Sequence, residues 1–235
     1  MFGYYRYWDP TYILVILGAV ICLIASARVK STFHKYSGYR SRSNLTGAQA
    51  AERILHAAGI YDVSVHHVSG HLTDHYDPRR KTLNLSDSVY GLASVAAVGV
   101  AAHECGHAIQ HQKQYAPLSV RSAIVPAANF GSFLAWPLIL IGMFFSSGTG
   151  TLLINIGIVC FSFAVLFQLV TLPVEFNASK RALRILGETG ILTSEELPMT
   201  RKVLGAAALT YVAGAAAAIL QLLRLVLLFG GRNDD

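Results

Sequence analysis

The stretch VYGLASVAAVGVAAHECGH, residues 89–107, joins a long uncharged run to a compact group of metal-ligating side chains. Residues 89–102 carry no charge and are rich in Ala, Val and Gly. Such a run must be packed on nearly all sides, as expected for a central helix. We expect this helix to begin at Ser86 or Asp87 and to end near Gln112.

The end of the stretch has the pattern HExxH. A helix turns about 100° per residue, so His103 and His107 lie one turn apart on the same face. Both rings can then reach one Zn²⁺ at about 2.0–2.1 Å. Glu104 lies too far round the helix to coordinate together with both rings, but it can take a proton from a zinc-bound water. The pattern predicts one Zn²⁺ per chain, with Glu104 as general base.

The composition indicates a membrane protein. Hydrophobic residues make up 53% of the chain and charged residues 14%, against a usual charged share of about 25%. Crossing a bilayer takes about 20 apolar residues. Four segments meet this requirement: residues 11–27, 123–145, 151–174 and 203–229. The predicted fold class is a mainly α, multi-pass membrane protein, in which four transmembrane helices carry a small cytoplasmic α+β zincin-like domain.

The first span could be a cleaved signal peptide or an uncleaved membrane anchor. Its aromatic flank, from Phe2 to Tyr12, suits the membrane interface and differs from the basic start of a signal peptide. We therefore expect an uncleaved anchor. The fourth span is interrupted by Arg224 near its end, where a long side chain can reach the interface.

The distribution of basic residues predicts the orientation. Residues 28–122 hold eleven of the nineteen Lys and Arg residues, and residues 175–202 hold five more. By the positive-inside rule both segments face the cytoplasm, so the active site faces the cytoplasm and both termini lie outside. The formal net charge of +6 reflects this topology and contact with anionic lipid. No basic patch with interleaved aromatic residues predicts nucleic-acid binding.

These signals divide the chain into five predicted parts. They are the N-terminal tail and first transmembrane helix (1–28), the cytoplasmic zincin-like domain with a hairpin and the HExxH helix (29–122), a transmembrane helical hairpin (123–174), a cytoplasmic segment with the third zinc ligand (175–202), and the fourth transmembrane helix with a short tail (203–235).

The cytoplasmic domain combines a helix signal with an alternating pattern. Thr46 and Gln49 predict a capping box for a helix that Gly59 ends. Between Val63 and Leu85 apolar and polar residues alternate, which predicts two or three short strands. Turns between them are expected at Ser69-Gly70 and Asp77-Pro78.

A strand before an HExxH helix can also bind substrate. An exposed edge strand pairs with an extended peptide through backbone hydrogen bonds. Either Leu83-Asn84-Leu85 or the run from His71 to Tyr76 could supply such an edge. The alternative is an ordinary core hairpin.

A catalytic zinc site needs three protein ligands and an open position. The metzincin extension of HExxH would need Gly at position 110 and His at 113, where this chain has Gln110 and Lys113. His111 lies a further turn, about 6 Å, along the helix from His107 and is expected to stay outside the site. The predicted hairpin offers a competing set of metal-ligating side chains: His66, His67, His71, Asp74, His75 and Asp77.

Glu175 is the better candidate for the third ligand. It comes just after Pro173, where the third span is expected to end, on the same predicted side of the membrane as the HExxH segment. A ligating Glu on a second helix downstream of HExxH is the gluzincin arrangement. The alternative is a glutamate in the first turn of a helix, stabilised by the helix dipole.

Four segments along the chain carry a resemblance to a known family. They are DHYDP at 74–78, AHECGHAIQ at 102–110, PVEFNAS at 173–179 and AALTYVA at 207–213. In this order they resemble the YugP-type membrane zinc metallopeptidases of bacteria over nearly the whole chain. The resemblance implies a zinc metalloendopeptidase of the cytoplasmic membrane, with His103, His107 and Glu175 as ligands and Glu104 as the catalytic base.

The Glu-Phe-x-Ala element at 175–178 is also similar to the HtpX-type and prenyl-protease membrane metalloproteases. Those proteins usually have an Asp four residues after the Glu, which orients a zinc-binding His. Ser179 stands at that position here, so the orienting role falls to Asn177 or to Ser179 itself. The candidates for stabilising the oxyanion are Tyr211, Asn177, Arg181 and the hairpin histidines.

Two functions compete with peptide-bond hydrolysis. A non-catalytic zinc-binding membrane protein would have a closed, Cys-rich site, whereas Cys105 points about 200° away from His103 on the helix. A metal-handling transporter would need ionisable groups in its spans, and these are almost absent. The expected partners are a peptide, an unfolded protein or a membrane protein as substrate, and the lipid bilayer. The oligomeric state is left open.

Overall fold

The computed structural model describes residues 9–145 and 148–230. The aromatic tail before Asp9, two residues of the predicted turn at 146–150 and the acidic C-terminal tail lie outside the described residues. The elements in chain order are α1 (Tyr12–Ser37), α2 (Gly47–Ala57), β1 (Ser64–Val68), β2 (His75–Asp77), β3 (Thr82–Ser86), α3 (Val95–Gln112), α4 (Ala116–Phe144), α5 (Gly148–Glu188) and α6 (Leu197–Phe229).

Four of these helices, α1, α4, α5 and α6, are long and apolar enough to cross a membrane. They coincide with the four predicted spans, and together with the small sheet they confirm the predicted fold class. All four extend further than predicted: α4 begins at Ala116 and α6 at Leu197, before the predicted starts at 123 and 203. Helix α1 continues past Ala27 to Ser37, and α5 continues past Val174 to Glu188.

Pro173 lies inside α5, so the helix does not end where the third span was expected to end. A proline removes one backbone hydrogen bond and crowds the preceding turn, but it need not end a helix that neighbouring helices support. Glu175 is therefore an interior residue of a 41-residue helix. This position excludes the alternative of a first-turn glutamate stabilised by the helix dipole.

The chain divides into two compact units. The first, here the helical unit, comprises the described residues of the ranges 9–24, 120–145, 148–171 and 211–230. Its helices approach closely at small residues. A Cβ added to Gly131 would lie 2.5 Å from the carbonyl oxygen of Cys160, and one added to Gly142 would lie 2.7 Å from that of Gly150. Close approach at glycine is the usual way in which membrane helices gain van der Waals contact.

Arg224 has two partners within the helical unit, while its buried Nε has no hydrogen-bond partner among the described residues. Its Nη2 donates to Asp9 Oδ2 at 3.2 Å, and its guanidinium lies 4.2 Å from the centre of the Tyr12 ring. A buried arginine is tolerated when a carboxylate and an aromatic face receive its charge.

The second unit, here the sheet unit, comprises residues 25–119 and 172–210. Its α2 begins as predicted: Thr46 Oγ1 accepts from Gln49 N, and the Gln49 side chain accepts from Thr46 N. Gly59 has a φ of 73°, the left-handed conformation that glycine supplies after a helix end.

The three strands form a sheet of order β1-β3-β2. β3 pairs in parallel with β1 and antiparallel with β2. The predicted turn at Asp77-Pro78 joins β2 and β3 into a hairpin. Leu83-Asn84-Leu85 belongs to the central strand, so the expectation that it could be an edge strand is wrong. The run from His71 to Tyr76 ends in β2, which lies at an edge.

Helix α3 begins at Val95, later than the predicted start at Ser86 or Asp87. The carbonyl groups of the intervening residues accept hydrogen bonds from other segments. Leu92 O accepts from Gly47 N at 3.0 Å, and Tyr90 O accepts from Ala48 N at 3.1 Å, which satisfies the first amides of α2. The Ser94 side chain then caps α3 by accepting from Ala97 N.

Nearly every side of α3 is covered, as the uncharged run predicted. Its buried residues include Val98, Ala101, Ala102, Cys105 and Ala108. They share a core with Ile54 and Leu55 of α2, Leu83 and Leu85 of β3, and Leu186 of α5. This packing holds the HExxH motif on a rigid central helix.

Candidate metal centre

Two helices of the sheet unit bring three metal-ligating side chains together. His103 and His107 lie one turn apart on α3, and their rings are nearly perpendicular with centroids 4.8 Å apart. Glu175 comes from α5. Its Oε2 lies 3.2 Å from His103 Nε2 and 3.5 Å from His107 Nε2. The side chains are largely buried, with 13% of each histidine and 4% of the glutamate exposed.

These separations fit a zinc ion. Two ligands that are each about 2.0–2.1 Å from a tetrahedral Zn²⁺ lie about 3.3–3.4 Å from each other. The observed distances from the Glu175 oxygen to the two histidine nitrogens fall on either side of that value. Two imidazoles and one carboxylate also leave the fourth position open, as in catalytic zinc sites.

Glu104 is the other carboxylate near the two rings. Atoms of His103, Glu104 and His107 that could bind a metal all lie within 4.8 Å of one another. Glu175 Oε2, which lies within 3.5 Å of the Nε2 atoms of both rings, is a second carboxylate oxygen that could hold a metal together with them. Glu104 is 8% exposed, and its carboxylate accepts no hydrogen bond from the described residues.

The electrostatics of the site favour a cation. Burial by itself would lower the pKa of His107, but the hydrogen bond to Glu175 and the negative charge of Glu104 outweigh burial and raise it. The two carboxylates therefore stabilise positive charge between the rings. A divalent cation meets the same requirement with neutral imidazoles.

Close contact between α3 and α5 makes this geometry possible. A Cβ added to Gly106 would lie 2.6 Å from the carbonyl oxygen of Ala178. Glycine at position 106 thus lets the backbone of α5 lie directly against α3, between the two histidines. Ala178 follows Glu175 by nearly one turn, so this contact sets the distance of the carboxylate from both rings.

His107 is held by a hydrogen-bond network that the sequence analysis missed. Gln110 Nε2 donates to Val174 O at 2.8 Å and to Asn177 Oδ1 at 3.0 Å. The side-chain oxygen of Gln110 therefore points away from these two acceptors. That oxygen lies 3.0 Å from His107 Nδ1. An acceptor at Nδ1 favours the tautomer with the proton on Nδ1, which leaves Nε2 free to bind a metal.

A signal for Gln110 was present in the sequence. It stands three residues after His107, a spacing that places two side chains on neighbouring parts of a helix surface. The sequence analysis used Gln110 only to exclude the metzincin pattern. Gln110 is fully buried, and a buried amide in an apolar helix requires partners.

His103 has a partner from α5. Ser179 Oγ lies 3.1 Å from His103 Nδ1. Ser179 is one of the two residues that the sequence analysis considered for orienting a histidine. Asn177 acts differently: its Oδ1 accepts from Gln110 and, at 2.7 Å, from Arg181 Nε. Asn177 therefore lies next to the residue that contacts His107.

Tyr211 belongs to the helical unit, where it lies on α6. Its role as an oxyanion donor stays a prediction. Cys105 is fully buried with its Sγ 3.6 Å from Ala51 O, which agrees with the expected orientation away from the site.

Three of the four competing histidines have other partners. His67 pairs with Asp87, His66 contacts Ser64, and His75 contacts Asn84. Within residues 9–145 and 148–230, the one group of three or more clustered metal-ligating residues is the one that contains the HExxH motif. His111 lies 3.0 Å from the Tyr76 hydroxyl and outside that group.

Comparison with known proteins identifies the family of the chain. Residues 11–230 match the family model described as "Putative neutral zinc metallopeptidase". The chain is 48% identical over 223 residues to the "Putative membrane protease YugP" of Bacillus subtilis (strain 168), which covers 94% of this chain and 98% of that relative. No solved structure matches the chain. A family match over nearly the whole length and a full-length relative lead to one conclusion: the chain belongs to the neutral zinc metallopeptidase family and is a membrane protein.

Proposed function

We propose that the protein is a zinc-dependent endopeptidase that hydrolyses peptide bonds at the cytoplasmic face of the membrane. One observation carries the proposal. A single oxygen of Glu175 lies 3.2 Å and 3.5 Å from the Nε2 atoms of His103 and His107, close to the spacing that a carboxylate ligand has from each imidazole ligand of one tetrahedral Zn²⁺.

Each residue of the centre has a role in this proposal. His103, His107 and Glu175 hold the metal. Bound Zn²⁺ supplies a Lewis acid that polarises the scissile carbonyl and lowers the pKa of water toward about 7. Glu104 accepts the proton of the attacking water and then passes it to the leaving amine. Its free carboxylate and its position beside the two rings support this role.

Residues that contact the second ring nitrogen of each histidine fix the orientation of the two rings. Gln110 accepts from His107 Nδ1–H, and the Ser179 hydroxyl accepts from His103 Nδ1–H, so both Nε2 atoms point toward Glu175. Metal-binding histidines usually have such a partner at the second ring nitrogen. We assign orienting roles to Gln110 and Ser179, and a supporting role to Asn177 through its contact with Gln110.

We further propose that β2 binds the substrate backbone. β2 is an edge strand of the sheet, it contacts α3, and Tyr76 in its centre lies 3.0 Å from His111 of that helix. An extended segment of a peptide, an unfolded protein or a membrane protein could add to this edge through backbone hydrogen bonds. Such pairing depends on the backbone of the substrate more than on its side chains.

The orientation in the membrane is part of the proposal. The concentration of Lys and Arg in residues 28–122 and 175–202 supports a cytoplasmic location for the centre, with both termini outside. Both halves of the centre, the HExxH motif and Glu175, fall in those two segments.

The test uses full-length protein purified in detergent. In Glu104→Gln we expect zinc content to be unchanged and cleavage of an unfolded protein substrate to fall by about 10²–10⁴-fold, because the general base is lost. Glu52→Gln, an exposed change on α2, serves as the matched control and should cleave normally. A chelator should abolish wild-type cleavage, and added zinc should restore it. Normal cleavage by zinc-loaded Glu104→Gln would refute the assignment.

A further inference from the structure

A cavity lies between α5 and α6 in the sheet unit. It has a volume of about 530 Å³ and is open at one side. Its walls are mostly apolar and include Phe176, Leu204 and Leu209. Cavities of roughly 300–1,000 Å³ are large enough for a small organic ligand.

Three cations surround this cavity without a carboxylate among them. Lys180, Arg184 and Arg201 line its edge, and no Asp or Glu contributes to its walls. Among the described residues none of the three cations forms an ion pair, whereas Arg42, elsewhere in the same unit, pairs with Glu195. The cavity thus combines an apolar wall with unneutralised positive charge.

We propose that this cavity binds one anionic phospholipid. The phosphate would lie against Lys180, Arg184 and Arg201, and an acyl chain would cover the apolar wall. Phe176 and Leu209 are 49% and 41% exposed, which leaves apolar surface for such a chain. The two helices that form the cavity are both candidate membrane spans, so a lipid can reach it from the bilayer.

A peptide carboxylate is the competing ligand. Ser179, which contacts His103, also lines the cavity, so a bound substrate end would lie near the metal centre. One carboxylate carries a single negative charge, against three positive charges at this cavity. Clusters of basic residues next to a membrane are typical of segments that bind anionic lipid. The charge and the membrane helices together favour the lipid.

Gly205 offers a variant that blocks the cavity without removing charge. It lines the cavity on α6, and a Cβ added there meets no atom within 4 Å. A leucine at this position would fill open space, and leucine favours helix more than glycine does. Gly205→Leu should therefore fold normally and exclude the ligand.

The experiment counts lipids bound to the detergent-purified full-length protein by native mass spectrometry, with phosphatidylglycerol and phosphatidylcholine as probes. We expect one phosphatidylglycerol per chain and no matching retention of phosphatidylcholine. Arg184→Ala and Arg201→Ala should each weaken binding by about five-fold, and Gly205→Leu should abolish it. Lys202→Ala removes the neighbouring charge outside the cavity wall and should leave binding unchanged.

Several results would overturn the proposal. Equal binding of both lipids would show that the phosphate charge is not recognised. An equal loss in Lys202→Ala and Arg201→Ala would show attraction to surface charge alone. Normal binding by Gly205→Leu would place the lipid elsewhere, and occupation of the cavity by a peptide with a free C-terminal carboxylate in preference to lipid would assign it to the substrate.

Discussion

Replacing Gly106 by Ala tests whether close contact between α3 and α5 builds the metal centre. The new Cβ would lie 2.6 Å from Ala178 O and 3.1 Å from Ala178 Cα, against an ordinary contact distance of at least 3.4 Å. The backbone of α5 must then retreat by about 0.8 Å, at a cost of about 1–3 kcal/mol for overpacking. A functional site tolerates displacements of only about 0.5 Å.

The same displacement moves Glu175 away from both histidines. We expect zinc affinity of Gly106→Ala to fall by about 10–100-fold, as when the groups supporting a metal ligand are lost. Zinc affinity is measured by competition with a chelator of known affinity, and helix content by circular dichroism. Gly205→Ala is the matched control, since its Cβ meets nothing within 4 Å. Wild-type zinc affinity in Gly106→Ala, with helix content retained, would refute the reasoning.

Two further predictions concern the surroundings of the centre. Gln110→Leu removes the acceptor at His107 Nδ1, so zinc affinity should fall by about 10–100-fold in a chelator competition; an unchanged affinity would show that Gln110 does not orient the ring. Burial raises the pKa of Tyr76 to about 12. Because an unfolded chain ionises tyrosine near pH 10, wild-type stability should decline between pH 10 and 12 more steeply than that of Tyr76→Phe in denaturant titrations, and parallel declines would contradict the shift.

The membrane spans could be predicted because length and apolarity decide them. A run of about 20 uncharged residues has few alternatives to a spanning helix. The exact helix ends could not be predicted, since α1 and α5 continue into residues with ordinary polarity. The capping box at Thr46 and Gln49 was predictable for a different reason: both hydrogen bonds lie within four residues of the sequence.

Features that depend on distant segments were missed. Residues 89–94 are as apolar as the helix that follows, but carbonyl groups among them accept hydrogen bonds from the first amides of α2. The central position of β3 depends on parallel pairing with β1, which alternation of apolar and polar residues does not specify. Continuation of α5 through Pro173 also depends on packing against its neighbours.

The proximity of His103, His107 and Glu175 was predictable from the sequence. HExxH determines the relation of His103 to His107 through helix geometry alone. Predicting Glu175 as a ligand required the inference that the HExxH segment and residues 175–202 lie on the same side of the membrane. Gln110 was overlooked because its importance depends on Val174 and Asn177 of another helix, which fix the direction of its amide.

The central claim is that α3 and α5 share one zinc ion through His103, His107 and Glu175. The most direct test compares the zinc content of purified Glu175→Ala with that of Glu188→Ala, an exposed change on the same helix. We predict one zinc per chain in the wild type and in Glu188→Ala, and loss of bound zinc in Glu175→Ala, with all three proteins equally helical. One tightly bound zinc per chain in Glu175→Ala would contradict the account.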